Sequence, residues 1–140
     1  FSVCKHCFDL LKPNGILCFE VPNDFNLLQE IVVNTLNKPP YWIEPTQHVN
    51  YFSHKTLKKL LIKCGFNPIY SESTFPLEFF LLSGMDYVNN EKIGKKIHSM
   101  RMNFESNLFS SQNNSLKRDL YSNFAQKGIG REIIIYAKKI

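Results

Sequence analysis

No stretch of the chain approaches the roughly 20 consecutive apolar residues that a bilayer span requires, and no charged-then-apolar leader opens it. A membrane anchor is therefore not expected, and a cytoplasmic location is the expectation. Cysteine is scarce, with four in 140 residues. Cys4 and Cys7 form a C-x-x-C pair, but Cys18 and Cys64 stand alone in strand-like and helix-like segments, so reduced thiols are the simpler reading. Internal repeats, low-complexity tracts and domain linkers are lacking. The basic excess, +5, is spread over separate segments with no stripe of basic and aromatic residues and no RNA-binding motif, so nucleic acid is not an expected partner.

What is present is enough for one core, since 44% of the residues are hydrophobic and 14% aromatic. Cys4, Phe8 and Leu11 recur at helical spacing, and Pro13-Asn14-Gly15 supplies a turn. Ile16 to Val21 is a short apolar run with Glu20 as its only charge, which predicts a strand buried on both faces of a parallel sheet. Asn23 or Asp24 is placed to cap a second helix carrying Phe25, Leu28, Val32 and Leu36 on one side. Residues 37–52 hold three prolines, Trp42, Tyr51 and His48 without a period, and read as an ordered loop. Ser53 caps a third helix with a Leu57, Leu60, Leu61 and Cys64 stripe, which Gly65 stops. Phe66 to Phe75 reads as a strand that Pro68 assigns to an edge or to a start just after it.

Beyond that strand, 77–84 predicts a short helix, and Ile93, Ile97, Met100, Phe104 and Leu108 mark a longer one. Leu116, Leu120 and Phe124 mark another, and the polar 110–115 stretch between them predicts a helical hairpin. A last strand runs from Arg131 to Ala137. Strands alternating with helices predict an α/β sheet. The expected organisation is a single partial domain over 1–140, with two strand regions in 1–75, a helical insertion in 76–130 and the last strand in 131–140. The chain begins with Phe1 inside a helical pattern, so a fragment of a longer reading frame is expected.

The stretch Leu10-Leu11-Lys12-Pro13-Asn14-Gly15-Ile16-Leu17 resembles the LKPGG turn before the fifth strand of class I S-adenosylmethionine-dependent methyltransferases, with Asn14 in place of a glycine. Glu20-Val21-Pro22-Asn23, then Pro45-Thr46-Gln47-His48-Val49-Asn50-Tyr51-Phe52-Ser53, continue the resemblance in order and spacing. Phe75 to Leu82, Asp86-Tyr87-Val88, His98 to Glu105 and Gly128 to Glu132 are similar to bacterial sugar and surface-polysaccharide methyltransferases. The resemblance implies the C-terminal part of a Rossmann-like sheet, strands five to seven, with a helical insertion before an antiparallel last strand. It implies S-adenosylmethionine as cofactor and a sugar-containing acceptor. The glycine-rich loop and the acidic residue that hold the cofactor are not in this sequence, so the chain alone is expected to be inactive and carries no expected cofactor-binding residue.

His48, in an irregular loop flanked by aromatics, is the candidate base, against a plain loop-fastening role. Asn23, Trp42, Tyr51, Glu78, His98 and Arg101 are candidate substrate contacts, against helix capping for Asn23, dipole compensation for Glu78 and an Arg101–Glu105 surface ion pair. Arg131 reads as structural. Cys4-Lys5-His6-Cys7 lacks the further ligands a metal would need. A non-catalytic module that pairs through an exposed sheet edge is the alternative function, and the hairpin offers a homodimer interface or a lid.

Overall fold

A computed structural model describes residues 1–110 and 114–140. Helix α1 (Ser2–Leu10) leads to strand β1 (Ile16–Pro22), helix α2 (Leu27–Leu36), helix α3 (His54–Lys63) and strand β2 (Phe66–Ser73). Helices α4 (Glu78–Leu82), α5 (Glu91–Ser110) and α6 (Asn114–Gln126) follow, then strand β3 (Glu132–Lys139). The sheet order is β1-β3-β2, and β3 runs antiparallel to both neighbours. Strands β1 and β2 therefore point the same way without being hydrogen-bonded neighbours.

One face of the sheet carries the core. Ile133, Ile135 and Ala137 alternate inward on β3 and meet Phe66, with Leu57, Leu61 and Cys64 of α3 and Cys4 of α1. Phe66 receives the edges of Phe8 and Phe19 at 5.4 and 5.6 Å. Lys139 Nζ donates to the carbonyls of Phe8 at 2.6 Å and Leu11 at 2.9 Å, which satisfies the end of α1 and ties it to β3. Ser53 caps α3 in a capping box with Thr56, and Gly65, at φ +92, turns the chain out of that helix.

Pro68 coincides with a break in register between Pro68 and Tyr70, on the sheet edge that a residue without an N–H tolerates. Strand β1 corrects the expectation of burial on both faces. It is an antiparallel edge strand in which Ile16, Cys18 and Glu20 are exposed and Leu17, Phe19 and Val21 are half-buried. The reason is one-sided cover, because α1 and α3 lie on the core face while α6 packs over β2 on the other.

The cap of α2 is a second correction. Asn26, not Asn23 or Asp24, caps it, accepting from Leu28 N and Gln29 N while the Gln29 side chain accepts from Asn26 N. Phe25 sits before the helix at φ +55, which a bulky side chain rarely adopts, so it leaves the α2 stripe and turns toward the 37–52 loop. In α5 the apolar stripe is buried only at Ile97, while Met100 and Phe104 stay exposed. Helices α5 and α6 pack together, joined by Tyr121 Oη donating to Glu105 at 2.8 Å. Residues 111–113 of the expected hairpin turn lie outside the described residues. No helix among the described residues is long and apolar enough to cross a membrane.

Candidate functional site

At the C-terminal end of β1 the chain leaves the sheet through Pro22, Asn23 and Asp24. The Asn23 amide nitrogen donates to the carbonyls of Gly128 and Gly130, each at 3.0 Å, and Asn23 N donates to Arg131 O at 2.8 Å. Asn23 is 1% exposed, so it fastens the end of β1 to the segment that starts β3. Gly130 is required there, since a Cβ would come within 2.5 Å of Ser73 Cβ and 2.6 Å of Thr74 O.

The 37–52 loop folds back over this end. Phe25 packs edge-on against Trp42 at 5.7 Å and Tyr51 at 5.8 Å, and Tyr51 Oη accepts from Glu44 N at 3.1 Å. Lys38 pairs with Asp86, which fixes the loop to the segment before α5. Between loop, β1, α4 and α5 lies a cavity of about 560 Å³. Trp42, His48, Glu78, His98 and Arg101, five of the candidate site residues, line it. Asn23 and Tyr51 support it from outside the lining.

Several of its residues carried no functional reading in the sequence. Asp24, Tyr41, Tyr87, Arg131 and Glu132 also line the cavity. The signal for Asp24 was its place just past a strand, the rim where α/β sheets bind ligands. Nothing in the sequence marked Tyr41, while Tyr87, Arg131 and Glu132 entered only within blocks of the family resemblance.

The cavity's electrostatics follow from burial. Asp24, 5% exposed, has a carboxyl raised above the usual range by burial, opposed by the nearby charge of His48 and a hydrogen bond from the Phe52 backbone. Glu132 is raised chiefly by burial, with His48 and Arg131 opposing. Glu78, 4% exposed, is likewise raised by burial, against a hydrogen bond from its own backbone, the Tyr41 hydrogen bond (3.2 Å, Oη to Oε1) and the charge of Arg131. Burial and the charge of Glu78 hold the Tyr41 and Tyr87 hydroxyls protonated far above their ordinary range.

Three buried polar atoms of cavity-lining side chains have no partner among the described residues: Trp42 Nε1, Glu78 Oε2 and Arg101 Nε. The Arg101–Glu105 ion pair expected from spacing does not form. Arg101 turns toward the cavity, and Glu105 accepts from Tyr121 instead.

Binding of S-adenosylmethionine calls for glycines after a strand at the opening of a helix. None of the glycines has that setting. Gly15 precedes β1, Gly65 ends α3, Gly94 lies inside α5, and the Gly130 position is filled by Ser73 and Thr74. These residues do not fit the donor. Among the described residues no group of His, Cys, Asp and Glu is arranged to hold a metal, Cys4 and Cys7 included.

No curated protein and no solved structure matches the chain. The family model of the methyltransferase domain matches residues 2–71, from α1 into β2, and so spans the sheet end, the loop and His48 while Glu78, His98 and Arg101 lie beyond it. That match covers half of the 140 residues, and the chain belongs to the methyltransferase domain family.

Proposed function

We propose that this chain forms the acceptor side of an S-adenosylmethionine-dependent methyltransferase that methylates an oxygen or nitrogen of a sugar-containing acceptor. In this reading its strands are the fifth, sixth and seventh of the methyltransferase sheet, and the donor is held by a part of the enzyme outside these residues. The observation that carries the reading is the cavity, where side chains from β1, α2, the 37–52 loop, α4, α5 and the start of β3 converge and three buried polar atoms lack partners among the described residues.

A sulfonium methyl is displaced in line by the acceptor atom, so the protein's task is to position that atom and take its proton. His48 is the base in this reading. Asp24 lies within electrostatic reach of it, in the base-and-orienter arrangement of other active sites. Trp42, Glu78, His98 and Arg101 hold the acceptor, while Asn23 and Tyr51 keep the rim and loop in shape.

The test is transfer of labelled methyl groups by the methyltransferase that contains this chain, over a panel of sugar acceptors. His48→Ala is expected to lower turnover by about 100-fold or more with little change in donor affinity. Unchanged turnover would leave His48 as a loop fastener.

A further inference from the structure

Glu78 is a buried carboxyl on the cavity wall with one oxygen left unpartnered. Its side chain is 4% exposed, and Oε1 accepts one hydrogen bond from Tyr41. Its other oxygen, Oε2, is buried without a donor among the described residues. Among the described residues no ion pair reaches it: Arg131 pairs with Glu132 and acts on Glu78 only through its charge, and Lys38 pairs with Asp86. A carboxylate so placed is costly unless something supplies both charge and protons.

Around it stand aromatic rings. Tyr41, Trp42 and Tyr87 line the same cavity, and the rings of Tyr41 and Trp42 meet at 86° with centroids 5.2 Å apart, giving two walls nearly at right angles. Both tyrosines stay neutral, so the corner offers π faces and one carboxylate. That combination suits a cation with N–H donors, which gains from the ring quadrupoles as well as from the carboxylate. A neutral hydroxyl gains only one hydrogen bond.

The remaining unpartnered atoms, Trp42 Nε1 and Arg101 Nε, are donors and require acceptors. The complementary ligand thus carries one ammonium group among hydroxyl or anionic oxygens. We infer that the cavity recognises an amino-bearing acceptor, an amino sugar, by seating its ammonium group against Glu78 in the corner formed by Tyr41, Trp42 and Tyr87. The inference rests on the cavity being the acceptor site of the proposed methyltransferase, and it concerns the group that is recognised, whichever atom is methylated.

Trp42 is the single tryptophan of these 140 residues, so within them tryptophan fluorescence reports on this corner. Titration with D-glucosamine and, separately, with D-glucose compares an ammonium with a hydroxyl at one position. Glucosamine is expected to give a saturable change at a concentration at least about tenfold lower than glucose does, and Glu78→Gln to remove that preference. N-acetylglucosamine, which keeps the nitrogen but not its charge, is expected to behave like glucose, and this arm holds even if Glu78→Gln does not fold.

Equal responses to the sugars, or none to glucosamine, overturn the inference. Methyl transfer to a sugar without an amine, unaffected by glucosamine, would sink the inference and leave the proposed function standing. Glucosamine binding in an enzyme that transfers no methyl group to any sugar would do the reverse.

Discussion

His54 joins helix α3 to strand β2. It is 6% exposed, with Nε2 2.7 Å from Ser73 Oγ and Nδ1 3.2 Å from Ser71 Oγ. Burial, with the charge of Lys58, lowers its pKa to about 4, whereas in an unfolded chain a histidine titrates near about 6.5. Between those values the unfolded chain holds a proton that the folded one refuses, so folding loses stability as the pH falls. Each pH unit in the window is about 1.4 kcal/mol, so the loss between about pH 7 and about pH 4 is on the order of 3 kcal/mol. Asp24, Glu78 and Glu132 act with the opposite sign, because their raised folded-state values mean that the folded chain takes up protons first. Comparison with His54→Gln removes that background, since glutamine offers the serines a donor and an acceptor but does not titrate in this range. Urea unfolding followed by circular dichroism at a series of pH values measures both proteins. Wild type is expected to lose stability relative to the variant on acidification, and parallel curves would refute the assignment of a buried, neutral His54.

Gly130→Ala is expected to lower stability by about 1–3 kcal/mol, because Gly130 has φ +108 and a new Cβ would press on Ser73 and the Thr74 carbonyl; a thermal melt reads the change. Asn23→Ala strands the buried Gly130 carbonyl and frees the end of β1, an expected cost of about 1–3 kcal/mol in denaturant unfolding. The same variant is expected to speed amide exchange of Arg131 and Glu132, where the tie is made.

Local signals in the sequence led to the right elements wherever one residue settles the geometry. Ser53 at the start of α3, Gly65 at its end and Pro68 on an edge strand are of this kind, since each acts on the backbone within a few residues of itself. The cap of α2 was misplaced because three polar residues, Asn23, Asp24 and Asn26, compete after Pro22. Only the left-handed turn at Phe25, held by its ring contacts with Trp42 and Tyr51, decides among them. Strand β1 misled for a related reason. An apolar run reads as burial on both faces, whereas the alternation of Ile16, Cys18 and Glu20 against Leu17, Phe19 and Val21 reflects which helices cover the sheet.

The site was legible in its parts and not in its balance. His48, Trp42, Glu78, His98 and Arg101 stood out by residue type and loop position, yet only packing shows that they share one cavity and that Arg101 leaves Glu105 to Tyr121. An unpartnered buried polar atom costs about 1–3 kcal/mol, and three of them weigh heavily against a net stability of about 5–15 kcal/mol for a typical domain. A core designed only for stability would avoid such groups at Trp42, Glu78 and Arg101, since one polar atom of each finds no partner among the described residues. Their convergence on one hollow, beneath a loop fastened by Tyr51 and by the Lys38–Asp86 pair, makes sense if the missing partners arrive with a ligand. Binding would then return to the folded chain the stability that these three atoms withhold from it, in proportion to how well a molecule supplies one donor and two acceptors to them.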